Sequence, residues 1–183
     1  MNERIQPPTY RAGISGEAGV ADAFALAAAR LRATRRLGSA RLRQIASDLR
    51  AKAPEGAEQE LREYLAEHPE DADALWLLAH VMMRVGRLRE AVPLLERCAQ
   101  VAPDFALARF NYASLLFHFC QFPAALNELE QLLSSDHHNP IFLELKADLL
   151  DAMGNAEKLL AIRQRLASEY PDRPESACRA AGL

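Results

Sequence analysis

Glycine is scarce in this chain, at 8 of 183 residues. Phosphate-binding loops need glycine where the backbone approaches the ligand closely, and no G-x-x-x-x-G-K-[ST] motif occurs. Runs of β-branched residues, which are typical of strands, are also few. These shortages argue against a nucleotide-binding site and against a sheet-rich fold.

Paired cysteines and long apolar runs are missing too. Cys98, Cys120 and Cys178 are far apart and form no C-x-x-C pair, which argues against a disulfide framework and a zinc site. The amino-terminal residues lack the apolar core and cleavage site of a signal peptide, and no stretch approaches the roughly 18 apolar residues of a membrane span. We therefore predict a reduced, cytoplasmic protein with no metal, no cofactor and no membrane contact.

What the chain does have is a helical pattern that repeats. Half of its residues are hydrophobic, and alanine, leucine, arginine and glutamate dominate long stretches, which favours an all-α protein. Residues 71–104 form the clearest unit, with a turn at Gly86 and a closing Pro103, and the unit is about 34 residues long. Its apolar and small residues recur at helical spacing: Leu75, Leu78, Ala79, Met82, Ala91, Leu95 and Cys98.

The same pattern predicts four repeats, at 38–70, 71–104, 105–138 and 139–171. Around them we expect a flexible lead-in (1–16), an amino-terminal capping helix (17–37) and a carboxy-terminal partial helix or cap (172–183), unless the native chain continues beyond Leu183. Two positions depart from the pattern: Cys120 takes the place of the turn glycine, and His137 that of the closing proline. In the last repeat Leu159 and Arg163 replace alanine and leucine, so looser packing is expected there.

From about Leu42 to Tyr170 the chain resembles tetratricopeptide repeat (TPR) proteins in both period and residue types. The resemblance implies a right-handed superhelix (α-solenoid) whose first helices line a concave groove. That groove would bind an extended peptide or a helix of a partner protein, and we expect no enzymatic activity.

The resemblance also implies which residues line the groove, and these are called the groove residues below. They are Arg43, Gln44, Ser47 and Arg50; Trp76, Leu77, His80, Met83 and Arg84; Phe110, Asn111, Ser114, Phe117 and His118; and Glu144, Leu145, Asp148 and Asp151. The groove would run from basic through aromatic to acidic. We expect Trp76, Phe110 and Phe117 to stay partly exposed as a contact site, and packing of these rings between neighbouring repeats is the alternative. The Asn111 amide could bond a ligand backbone.

Some partners are disfavoured by the residues present. TPR domains that hold acidic chaperone tails place Lys, Asn, Asn, Lys and Arg at five positions, where this chain has Arg43, Ser47, Leu77, Leu107 and Asn111. We therefore do not expect that ligand class.

The charge is unevenly distributed along the chain. Residues 1–52 carry 10 Lys or Arg and 4 Asp or Glu, whereas residues 53–183 carry 12 and 21. The basic quarter leaves anion or nucleic-acid binding as an alternative. A solvated helix face, or a contact with the acidic repeats, is the favoured interpretation because no aromatic residues alternate with the arginines.

Residues 68–113 also resemble the amino-terminal repeats of bacterial TPR-containing sulfotransferases. This resemblance implies, as an alternative, a docking or regulatory region whose catalytic domain is absent from this chain. A homodimer through Leu145, Leu149 and Leu160 of the last repeat is a further possibility.

Two polar pairs are candidate chemical sites. His137 and His138 are adjacent without a third ligand in sequence, which favours a polar loop over a metal site. Asp148 and Asp151 lie one helical turn apart, and we interpret them as a solvated face or an anchor for a basic partner.

Overall fold

The structure of the protein is a computed structural model that describes residues 39–51 and 55–171. The predicted lead-in, capping helix and carboxy-terminal cap lie outside these residues. The described residues form eight helices and no strand: α1 Ala40–Ala51, α2 Glu55–Glu67, α3 Ala72–Arg84, α4 Leu88–Val101, α5 Ala106–His118, α6 Phe122–Ser135, α7 Pro140–Ala152 and α8 Ala156–Glu169. Within the described part of the chain no helix is long and apolar enough to cross a membrane.

Each helix packs against the next one along the chain. In addition α1 packs against α3 and α5 against α7, so in these two cases the first helices of neighbouring pairs lie side by side. This arrangement of helix pairs confirms the predicted all-α solenoid.

The core forms because apolar residues return at equivalent positions of each helix pair. Leu61, Leu95 and Leu129 are fully buried at one such position of the second helices, and small Ala91 and Ala125 allow close helix approach at another. In α8 Leu166 is the one buried residue, in line with the looser packing expected there.

Buried apolar side chains separate into two clusters that meet on α5. The first joins α1 to α5 and includes Leu107, Ala108 and Leu115 of α5. The second joins α5, α6 and α7 and includes Phe110 and Leu116 of the same helix. Half-buried Tyr112 packs against both clusters, so α5 belongs to both halves of the core.

Three helix ends share one turn geometry. Gly86, Cys120 and Gly154 all have positive φ, at 78°, 58° and 70°. At each turn the amide of this residue bonds the carbonyl three residues earlier, and the next amide bonds the carbonyl five residues before it, as Arg87 does to Met82 at 2.9 Å. This is the hydrogen-bond pattern of a Schellman motif, in which glycine is preferred because it has no side chain to clash.

Cys120→Gly is expected to raise the free energy of unfolding by about 0.5–1 kcal/mol, which urea titration followed by circular dichroism would measure. An L-residue in this backbone region costs about 1–2 kcal/mol, and glycine removes that cost. The greater conformational entropy of glycine in the unfolded chain offsets about 0.5–1 kcal/mol of the gain. Cys120→Ala is the matched control, since it removes the thiol and keeps the strain. Equal stability of the two variants would contradict the assignment.

Asparagine and aspartate side chains cap the amino-terminal ends of three of the helices. Asp71 accepts bonds from the amides of Asp73 and Ala74 at 3.0 Å and also from the Tyr64 hydroxyl at 3.1 Å. It therefore caps α3 and ties α2 to it. Asn139 and Asn155 cap α7 and α8 in the same way, through the amides of Ile141 and Lys158.

Arg109 is an exception to the apolar pattern of the first helices. It stands on α5 where α3 has Leu75 and α7 has Leu143, and it is only 7% exposed. Its guanidinium pairs with Glu128 and bonds Gln131 Oε1 at 2.6 Å, both on α6. It also donates to the carbonyl oxygens of Ala99 and Pro103 at 3.4 Å. Arg109 therefore connects α5 to α6 through a buried ion pair, and to the end of α4 through hydrogen bonds.

Candidate binding groove

The groove residues differ widely in exposure. Trp76, Leu77, Met83, Phe110 and Asn111 are buried; His80, Ser114, Phe117, Glu144, Leu145 and Asp148 are half-buried; and Arg43, Gln44, Ser47, Arg84, His118 and Asp151 are exposed. Arg50 lies on α1, and its side chain is not described. On the first-helix face that carries these residues, the side chains in the middle are thus buried and those towards both ends are more exposed.

The expectation of three partly exposed aromatic side chains is wrong for two of them. Trp76 is 8% exposed and Phe110 is 6% exposed, while Phe117 is half-buried. The Trp76 ring lies 5.6 Å from the His80 ring and 5.8 Å from that of Phe105, between centroids. The aromatic middle of the groove is therefore largely part of the core.

Phe110 is buried by contact with the next helix pair. Its ring centroid lies 5.7 Å from that of Phe142 on α7. Phe105 lies five positions before Phe110, and Phe142 lies two positions before Glu144. These aromatic residues beside the groove positions were the sequence signal that a neighbouring repeat could cover Trp76 and Phe110.

Asn111 is the most unusual groove residue. Its side chain is 0% exposed, and neither its amide nitrogen nor its amide oxygen has a hydrogen-bond partner within the described residues. The equivalent positions of α3 and α7 hold Leu77 and Leu145, so the fold itself accepts an apolar side chain here. Leaving a buried polar group unbonded costs about 1–3 kcal/mol, which makes a structural role for this amide unfavourable.

A second buried donor lies on the neighbouring first helix. The indole nitrogen of Trp76 is buried and has no hydrogen-bond acceptor among residues 39–51 and 55–171. Buried tryptophan usually finds an acceptor for this N–H. The middle of the groove thus offers two donors and one acceptor that the described residues do not use.

The two ends of the groove carry opposite charge. At the first end, Arg43 and Arg84 are exposed, and Arg84 donates to the carbonyl oxygen of Leu49 at 2.6 Å. At the other end Glu144, Asp148 and Asp151 recur at i, i+4 and i+7, so they share one face of α7. Asp151 lies 3.8 Å from Arg163 of α8.

The histidine pair connects the loop between α6 and α7 to α8. His138 Nδ1 lies 3.0 Å from Glu169 Oε2 at the end of α8, and Arg165 bonds the carbonyl oxygen of His137 at 2.8 Å. The hydrogen bonds from His138 and then Arg165 hold the pKa of Glu169 below its ordinary value. Among the described residues no cluster of three His, Cys, Asp or Glu could hold a metal ion.

The predicted dimer face is also changed by the structure. Leu149 is 0% exposed and belongs to the second core cluster, so its predicted role as an exposed contact is wrong. Leu145 is half-buried, and Leu160 of α8 is 55% exposed. The apolar surface left on the last helix pair is smaller than predicted.

Solved structures with the same fold support the architecture. A fragment of MamA from Desulfovibrio magneticus RS-1 has 18% identity and a TM-score of 0.69 over 79% of this chain and 84% of that one. MamA of strain AMB-1 has 18% identity and a TM-score of 0.65 over 86% and 98%. A thermophilic TPR protein of Thermus thermophilus has 16% identity and a TM-score of 0.59 over 91% and 89%. At such identities the likeness shows the fold alone.

A search of curated proteins finds no match, so the resemblance to TPR-containing sulfotransferases stays a prediction. A family model described as Tetratricopeptide repeat matches residues 48–97 and 84–149. Since these matches together span 48–149, more than half of the chain, the protein belongs to the tetratricopeptide repeat family.

Proposed function

We propose that this protein is a non-enzymatic interaction module that binds an extended peptide segment or a partner helix across α3, α5 and α7. The TPR fold supports protein–protein interaction as the class of function. The observation that favours this face is the Asn111 amide, which is fully buried and unbonded where α3 and α7 hold leucine.

An amide suits a peptide ligand because it both donates and accepts. One backbone N–H and one C=O of an extended segment would satisfy both of its polar atoms. Such a ligand would have to displace a neighbouring side chain, and half-buried Ser114 and Phe117 lie about one and two turns away on the same helix. Binding would then recover the cost of keeping the amide dry.

Asn111→Leu is expected to weaken peptide binding about tenfold or more, because a hydrogen-bonded amide pair in a dry site contributes roughly 1.4 kcal/mol. Peptides would be selected on the wild-type protein from a random phage-displayed library, and the affinity of each would then be measured by calorimetry. An unchanged affinity for every selected peptide would contradict the assignment of Asn111.

Asn127→Leu is the matched control for this experiment. Asn127 is exposed on α6, a second helix, so the same substitution there should leave affinity unchanged. Trp76→Ala would be a poor probe, since removing a buried tryptophan costs about 3–5 kcal/mol of stability whatever its role in binding.

A further inference from the structure

Residues 17–36 have a charge gradient along a helical apolar pattern. Three of the apolar residues are Val20, Phe24 and Leu31, at helical spacing. Acidic residues stand at the start of the segment and arginines at its end: Glu17 and Asp22, then Arg30, Arg32, Arg35 and Arg36. The segment lies outside the described residues, so the inference below uses its sequence alone.

The groove has the matching gradient. It begins with the exposed Arg43 and Arg84 of α1 and α3, and ends with the carboxylates of Glu144 and Asp148 on α7. Between these ends lies the unbonded, buried Asn111 amide. That amide is an observation independent of charge, and it too favours a bound segment.

Connectivity opposes this pairing within one chain. Arg36 is four residues from Ala40, the first residue of α1, so its backbone lies within about 14 Å of that helix end. Three helix spacings of about 8–10 Å each separate α1 from α7, or about 24–30 Å. In its own groove the segment would therefore place its arginines at the basic end and Glu17 towards the acidic end.

A second copy removes that constraint. We propose that residues 17–36 of one copy bind the groove of another, with their arginines on Glu144 and Asp148 and their acidic start towards Arg43. The half-buried Phe117 offers apolar contact to Phe24 and its neighbours. This inference rests on the proposed function, because it uses the same groove.

The first test reverses the charge on each side of the contact, one side at a time, in the full chain. The segment variant R30E/R32E/R35E/R36E and the groove variant E144K/D148K are each expected to raise the dimer dissociation constant at least about tenfold, measured by light scattering over a range of concentrations. Wild-type association should also weaken as salt is added, because salt screens attraction between opposite charges.

The second test mixes the two variants. In an equimolar mixture each groove meets a segment of opposite charge, so a heterodimer should form at concentrations where each variant alone is monomeric. A contact within one chain would give no heterodimer. A wild-type protein that stays monomeric at every concentration, or a mixture without heterodimer, would overturn the inference.

The control variant E60K/E96K makes the same change of net charge as the groove variant E144K/D148K. Its two positions are exposed on α2 and α4, which are second helices. It should associate like the wild type, and equal loss in the control would also overturn the inference. If Asn111→Leu abolishes peptide binding while the mixture gives no heterodimer, the groove binds peptides but not this segment. The inference then fails and the proposed function stands.

Discussion

Asn111→Leu is expected to raise the free energy of unfolding by about 1–3 kcal/mol, because it replaces a buried amide without a hydrogen-bond partner by an apolar side chain of similar size. For a chain of this length each kcal/mol corresponds to about 2–4 °C in Tm. Urea titration and calorimetry would measure both quantities. The same substitution is expected to weaken peptide binding, so stability and function would move in opposite directions.

Leu77→Asn is the converse change at the equivalent position of α3. Leu77 is buried in the first core cluster, so an amide there should lower the free energy of unfolding by at least as much as Asn111→Leu raises it. If Asn111→Leu instead destabilised the protein, the Asn111 amide would have a structural partner, and its assignment to ligand binding would be wrong.

Glu128→Leu is expected to lower the free energy of unfolding by about 3 kcal/mol. The substitution leaves the Arg109 guanidinium, which is 7% exposed, without its carboxylate partner. Breaking a buried ion pair from one side costs about 3–5 kcal/mol, and the partial exposure of Glu128 places this case at the lower end. Urea unfolding of the variant and the wild type gives the difference.

The double variant R109L/E128L should recover most of that loss. Leucine replaces Arg109 at the position of Leu75 and Leu143, and Glu128 stands where α4 and α8 have Leu94 and Ile162. Apolar replacement of a whole buried pair is often neutral or stabilising. As a control, Glu130→Leu breaks the 3.5 Å contact with Lys146 at an exposed carboxylate, and should cost less than about 1 kcal/mol. A double variant as unstable as Glu128→Leu would contradict the proposed compensation.

The fold could be predicted from the sequence because the same pattern of residue types repeats along the chain. The 34-residue spacing places Gly86, Cys120 and Gly154 in one turn geometry, and all three have positive φ. The apolar pattern predicts the buried leucines of the second helices for the same reason. Local periodicity is sufficient when each repeat contacts mainly its neighbours.

The interior of the groove could not be predicted in the same way. Arg109 interrupts the apolar pattern, and its partners Glu128 and Gln131 are 19 and 22 residues further along the chain. The burial of Trp76 and Phe110 likewise depends on side chains of other helix turns and repeats. Whether a polar or aromatic residue faces solvent is decided by these contacts, which a pattern of residue types does not contain.

The meeting of two core clusters on α5 has a consequence for cooperativity. In a solenoid, stability is approximately a sum of repeat terms and nearest-neighbour coupling terms. On α5 the coupling between the halves passes beside Arg109, where a polar contact takes the place of leucine packing. The two clusters share no buried side chain among the described residues, so the natural unit of local opening is half the solenoid. Residues of α7 and α8 would then exchange their amide protons together, ahead of those in α3 and α4.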